Sequence, residues 1–257
     1  MSEPEDSKMP LLDHLIELRK RLLWSVLALA VAFGVSLYFA RPIFGFLVQP
    51  LLFSGQDKLI YTAIFEAFFV EIKVAFFAAS FVSFPVFATQ LWKFVAPGLY
   101  SKEKRAFLPF LLATPVLFSA GAAMAYYMAI PIALKYLLGF GGDVGGVQQE
   151  ALPGVDNYLN FVMKFIFGFG ISFLLPVLLM LLEKAGIVSL QQLKGARRYA
   201  IVGSFAVAAV LTPPDVVSQL LLAIPLCILY ELALIAIWLT QRRQKKVASE
   251  TETTSSI

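Results

Sequence analysis

The chain is short of the side chains that most enzymes work with. It has one histidine, His14, and one cysteine, Cys227, in 257 residues. A single cysteine excludes a disulfide within the chain, and no His/Cys/Asp/Glu spacing suits a metal. No Ser/His/Asp triad is apparent. The glycines within 139–146 lack both the flanking strand and the lysine of a phosphate-binding loop. Charge is also scarce: 15% of residues are Asp, Glu, Lys or Arg, against about a quarter in soluble domains. These shortages argue against an enzyme, against a cofactor and against a water-soluble fold. The lack of an internal repeat weakens an inverted-repeat transporter reading.

Apolar residues are what the chain has in excess, at 59% with a mean hydropathy of +0.79. They are collected in runs. A hydrocarbon layer of about 30 Å takes roughly 20 helical residues to cross, and a helix closes its backbone hydrogen bonds within one such run. The expected fold is therefore all-α, a polytopic membrane protein. Pro10 opens a short interfacial helix over 10–21 that runs into the first span, with Leu11, Leu15, Leu18 and Leu22 on one face. Spans are predicted at about 22–40, 69–94, 107–132, 158–182, 199–211 and 216–239. Arg41 and Pro42 close the first, and 43–65, interrupted by Pro50, Ser54, Gly55, Gln56 and Asp57, reads as an interfacial cap. Pro85, Pro109, Pro115, Pro131, Pro176 and Pro225 lie in or near the ends of the later spans, where prolines bend helices. The glycine-rich stretch 139–146 and the polar residues up to Asn157 read as a loop. The fifth run is odd: 199–211 covers about 20 Å as a helix, less than the hydrocarbon thickness. A single membrane domain over 1–241 is expected, then a basic and disordered tail over 242–257.

The basic residues set the orientation. Placing both termini, the second loop and the fourth loop on one side gathers most of the 21 lysines and arginines there, leaving Arg41, Lys58 and Lys135 opposite and Lys73 and Lys164 near span ends. By the positive-inside rule both termini are cytoplasmic. The first apolar run follows Arg19, Lys20 and Arg21 and is longer than a typical signal-peptide core, so it reads as a retained helix.

Carboxylates in this basic setting are the candidate chemistry. Asp13 and Glu17 stand four residues apart on the N-terminal helix, and Glu103 lies in the loop between spans two and three. Plain structural roles compete: Asp13 complements a helix dipole, Glu17 pairs with Arg21, and Glu103 starts a helix capped by Ser101. The functional alternative is a partner carrying guanidinium groups, which a carboxylate binds through two parallel hydrogen bonds. Spacing alone does not choose between them.

Three motifs bear on that choice. They are His14-Leu15-Ile16-Glu17-Leu18-Arg19-Lys20-Arg21; Phe94-Val95-Ala96-Pro97-Gly98-Leu99-Tyr100 with Glu103 and Arg105; and Leu211-Thr212-Pro213-Pro214-Asp215-Val216 with Ser218 and Gln219. Their order and sidedness resemble the TatC family, the multi-spanning receptor subunit of the twin-arginine protein translocase. The likeness runs from about Leu11 to Leu239.

The resemblance implies six bent transmembrane helices, the fifth and sixth short, forming a concave cupped bundle in the bacterial cytoplasmic membrane. It also implies a cytoplasmic site for twin-arginine signal peptides of folded cargo, made by Glu17, Leu18, Arg19, Phe94, Glu103 and Arg105. Pro50, Thr212, Asp215 and Gln219 match positions tied to transport and partner contact. The implied partners are small single-span subunits of TatA and TatB type in a hetero-oligomeric complex, and the implied energy source is the proton-motive force. In the fourth span Leu174 stands where many relatives carry Glu or Gln, which puts a buried proton carrier there in doubt. The competing reading is a secondary transporter or ion pathway using Asp215, Glu231 and Lys164 as a relay. A passive membrane scaffold is the third.

Overall fold

The computed structural model describes residues 11–95, 104–149 and 151–255. The elements are α1 (Leu11–Tyr38), α2 (Ala40–Phe53), α3 (Glu66–Val95), α4 (Lys104–Met124), a π-helical turn (Ala125–Ala129), α5 (Ile130–Leu138), β1 (Gly142–Val144), β2 (Val147–Gln149), α6 (Val155–Ser172), α7 (Leu175–Lys184), α8 (Leu190–Gly195), α9 (Arg197–Leu211) and α10 (Val216–Ser255). Among the described residues, five helical stretches are long and apolar enough to cross a membrane: Leu15–Tyr38, Glu66–Phe94, Phe110–Leu138, Val155–Lys184 and Val216–Arg242. α9 supplies the sixth, short segment, its 15 residues covering about 22 Å.

The bends fall where proline removes a backbone donor. Pro131 cannot complete an i→i−4 bond, and the turn just before it widens to a π-helix in which the Ile130 N–H donates to the Ala125 carbonyl. Pro176 has the same effect in the fourth span: α6 stops at Ser172 and α7 starts afresh at Leu175, with Pro176 in its first turn. Leu174 sits in that break, and the Ser172 hydroxyl donates to the Gly168 carbonyl at 2.5 Å.

Several sequence expectations are corrected. The helix over 11–21 is not among these: it runs on into the first span as expected, with no glycine or proline at the junction, and α1 is continuous to Tyr38. Pro10 lies outside the described residues. Arg41 and Pro42 open α2 rather than closing α1; Pro42 occupies its first turn, where a missing N–H costs nothing. The third span extends past Ile132 to Leu138. No break sets off the tail expected after Gln241, since Arg, Gln, Lys, Ala and Glu are good helix formers and α10 runs on to Ser255. The 139–157 loop contains a hairpin, β1 paired antiparallel with β2. Its two-residue turn, Gly145-Gly146, has φ of 63° and 87°, the left-handed pair that a tight hairpin turn demands.

The helices group into two compact units, one from 1–44 and 71–115, the other from 45–70 and 116–257, with borders inside α2, α3 and α4. Helices solvated by lipid need no common core, so each group packs among its own neighbours. In the first unit Phe33 of α1 meets Phe76 of α3 edge-on at 6.3 Å. The Trp92 indole N–H donates to the Thr114 hydroxyl at 3.1 Å, joining the last turns of α3 to α4. In the second unit α4 and α6 approach through glycines: a Cβ on Gly121 would lie 2.5 Å from the Phe169 carbonyl oxygen, and one on Gly170 would lie 2.7 Å from the Phe118 ring. Tyr230 of α10 anchors a cluster with Leu193, Leu234 and Ile237, its hydroxyl donating to the Leu193 carbonyl at 2.7 Å.

Candidate functional site

Glu17 lies on α1, where the i,i+4 spacing brings Arg21 onto the same face. Oε1 of Glu17 accepts from both Nε and Nη2 of Arg21, the former at 3.0 Å, and the two side chains are only about a fifth exposed. The plain pairing foreseen for Glu17 is thus present. It uses one carboxylate oxygen. Oε2 is buried and has no hydrogen-bond partner among the described residues. A carboxylate has roughly four acceptor sites, and an unmet buried one costs free energy. Glu17 is therefore held in orientation by Arg21, with its buried Oε2 left without a donor among the described residues. Beside it, Leu18 is 41% exposed and Ile16 66%, and Arg19 is exposed.

Phe94 is half-buried near the end of α3 and belongs to the same unit as Glu17, Leu18 and Arg19. Glu103 lies outside the described residues. Arg105 stands in the first turn of α4, with only its backbone described. The Trp92–Thr114 bond ties α3 to α4, the helices that precede and follow Glu103 in sequence.

The other predicted set lies in the second unit. The Thr212 hydroxyl donates to the Ala208 carbonyl at 2.9 Å and, with its backbone extended, ends α9. After Pro213 and Pro214, Asp215 caps α10: Oδ1 accepts from the Ser218 N–H at 2.7 Å. Oδ2 of Asp215 and the Ser218 hydroxyl are buried without partners among the described residues. The Gln219 amide donates to the Phe205 carbonyl at 3.3 Å, tying α10 back to α9. Thr212 and Gln219 therefore satisfy backbone carbonyls, as the sequence alternative allowed, while the buried Oδ2 of Asp215 has no donor among the described residues.

Pro50 is buried within α2. It cannot donate to the Phe46 carbonyl, and the Tyr126 hydroxyl fills that place at 2.7 Å, its ring stacked on Phe46 at 4.4 Å. Tyr158 donates to the neighbouring Leu47 carbonyl at 2.8 Å. Glu231, a candidate for the relay reading, is paired with Arg197 at 2.8 Å.

One polar centre escaped the sequence reading. Glu66 is buried at the start of α3, and its carboxylate accepts from the Thr62 N–H, the Thr62 hydroxyl at 2.9 Å, the Ala63 N–H at 3.0 Å and, through Oε1, the Asp156 N–H at 2.8 Å. It stitches the segment after α2 to the first turn of α6. Ile60 bridges Gly154 alongside, and the Gln56 amide donates to the Ala151 carbonyl at 2.5 Å. Thr62 four residues before a carboxylate at a helix start was the available signal, one shared by many helix caps.

Comparison with known proteins agrees with this architecture. The family model described as Sec-independent protein translocase protein (TatC) matches residues 13–225. A Sec-independent protein translocase protein TatC from Magnetococcus marinus is 50% identical over 231 residues, covering 89% of this chain and 84% of its own. The one from Aquifex aeolicus is 41% identical, covering 93% and 99%, and that from Escherichia coli is 41% identical, covering 89% and 87%. A crystal structure titled as the twin arginine translocase receptor TatC superposes with a TM-score of 0.78 at 41% identity, covering 89% of this chain and 99% of that one. With the family model spanning most of the sequence and the solved fold matching the helices described above, the chain belongs to the TatC family of Sec-independent protein translocase subunits.

Proposed function

We propose that this chain is the receptor subunit of a twin-arginine translocase in the bacterial cytoplasmic membrane. It binds paired-arginine signal peptides of folded cargo at its cytoplasmic face and, with single-span TatA- and TatB-type subunits, exports that cargo using the proton-motive force. The observation that supports this most directly is the Glu17 carboxylate, oriented by Arg21 through Oε1 and with its buried Oε2 lacking a donor among the described residues. A guanidinium arriving there gains a charge-assisted hydrogen bond without having to order the acceptor first. Glu103 is the second carboxylate of the reading, with Leu18, Arg19, Phe94 and Arg105 around the peptide. The peptide's arginines remain at the rim because placing one at the bilayer centre costs at least about 3 kcal/mol. Pro50, Thr212, Asp215 and Gln219 act in transport and partner contact. The short α9 leaves the membrane mismatched beside it, which favours recruiting single-span helices.

Photocrosslinking of a twin-arginine signal peptide to the membrane-embedded complex tests this. Glu17→Ala and Glu103→Ala are each expected to lower capture by about tenfold or more, the value of one charge-assisted hydrogen bond. Unchanged capture in both variants, at equal protein level, overturns the reading.

A further inference from the structure

After α7 the chain turns back along its own unit, so that α9 begins well short of the level where its neighbours end. The Tyr230 hydroxyl and the apolar cluster of Leu193, Leu234 and Ile237 hold α8 against α10, with Leu175 and Met180 of α7 packed on it. Arg197, the first residue of α9, pairs with Glu231 at 2.8 Å. Farther on, the Gln241 amide donates to Glu183 at 2.5 Å and ties the ends of α7 and α10 together. From Glu231 to Arg242 the helix rises about 16 Å. The 27 residues of the span Val216–Arg242 measure about 40 Å, so about 5 Å overhangs a 30 Å hydrocarbon layer at each end. The start of α9 therefore stands about 11 Å inside the layer that α10 is long enough to cross.

The charges at that level do not cancel. Arg197 and Glu231 offset each other, which leaves Lys194 and Arg198. Lys194 is exposed and, among the described residues, makes no hydrogen bond or ion pair. Arg198 is also exposed and leans on Tyr199: Nη2 donates to the tyrosine hydroxyl at 3.0 Å, and the guanidinium carbon lies 4.8 Å from the ring centroid. It has no carboxylate partner among the described residues. Two uncompensated cations below the usual headgroup level are costly unless anions come to them. A guanidinium carries five N–H donors in a planar fork, and Tyr199 takes one of them, so the remainder suit a phosphate. Val202, one turn along from Arg198, is 68% exposed and Ile201 is 50% exposed, which gives acyl chains an apolar wall just beyond the cations.

Net charge decides between lipids. A zwitterionic headgroup brings an ammonium with its phosphate, and the Glu231 carboxylate beside the site is already paired. A lipid with net negative charge meets the two cations without that burden.

From this depth and charge we infer that Lys194 and Arg198, with Tyr199, form a binding site for an anionic phospholipid whose phosphate is drawn down to the start of α9.

The test is native mass spectrometry of the purified full chain, with phosphatidylglycerol, phosphatidylethanolamine and phosphatidylcholine supplied in equal amounts. Phosphatidylglycerol adducts are expected to exceed the other two. Lys194→Ala and Arg198→Ala should each lower them about fivefold, the effect of one basic residue near a membrane surface. The double variant should lower them about twentyfold, Arg198→Lys should keep most of the binding, and Arg242→Ala, at the far end of α10, should leave it unchanged. Unchanged phosphatidylglycerol adducts in the double variant, or equal binding of phosphatidylethanolamine by the native chain, would overturn the assignment. A loss in Arg242→Ala as large as in the double variant would also overturn it, by moving the lipid to the end of the span. So would a Lys194→Cys crosslink to an acidic protein segment in the assembled complex with lipid adducts unaffected, which would give the two cations to a protein partner.

Discussion

Pro50 shows how one missing hydrogen organises its surroundings. Within α2 its nitrogen leaves the Phe46 carbonyl without a helical partner, and the Tyr126 hydroxyl, on the π-turn before α5, takes that role at 2.7 Å. Tyr126 is 4% exposed, so water is a poor substitute. Tyr126→Phe should therefore lower stability in mild detergent by about 1–3 kcal/mol, the cost of a buried acceptor left unmet. Pro50→Ala supplies the backbone donor. If the pairing works as described, the cost of Tyr126→Phe should fall in the Pro50→Ala background, and the double-mutant cycle should give a coupling of about 0.5 kcal/mol or more. Additive effects in thermal unfolding would show that the tyrosine and the proline act independently. Sequence inspection marked Pro50 but could not find Tyr126, since the two are joined only by the folded chain.

Helices α4 and α6 meet where glycine lets them, and the kind of atom opposite each glycine sets the order of cost. Gly121 faces the Phe169 backbone oxygen, which cannot rotate aside, whereas Gly170 faces the Phe118 ring, which has some freedom though it is 1% exposed. Gly34 of α1 has nothing within 4 Å of its would-be Cβ. Thermal unfolding should therefore rank Gly121→Ala as most destabilising and Gly170→Ala next, each in the range of about 1–3 kcal/mol for overpacking. Gly34→Ala should be neutral or stabilising by up to about 1 kcal/mol from helix propensity. Equal effects at all three would mean that the contact is not tight. Such approaches are invisible in sequence, where Gly121 and Gly34 look alike within apolar runs. The helices themselves were legible because length and hydropathy alone define a span, and Pro131 and Pro176 forecast the bends. The role of Arg41 and Pro42 was misread because a proline after an apolar run looks like a stop, although it serves equally well in the first turn of a new helix. The Gly145-Gly146 hairpin was missed because the flanking strands have only three residues each.

For the molecule as a whole, sidedness rests on the placement of Lys and Arg, while the carboxylate site rests on motifs that spacing alone left ambiguous. The unmatched Oε2 of Glu17 adds a physical reason that no sequence count could supply. Sidedness can be tested with the chain's own scarcity, because replacing Cys227 by Ser leaves no native thiol. Single cysteines at Asp57 and Asp143, in the segments after α2 and α5, should react with a membrane-impermeant maleimide in intact cells. One at Gln191, in the basic region around α8, should react only after the membrane is opened. The positive-inside argument requires that split, since Lys184, Lys194, Arg197 and Arg198 cluster around α8 while Lys58 and Lys135 are the only basic residues near the other two positions. Labelling of Gln191→Cys in intact cells, with Asp57→Cys and Asp143→Cys protected, would reverse the orientation and place the twin-arginine site on the wrong side for cargo made in the cytoplasm.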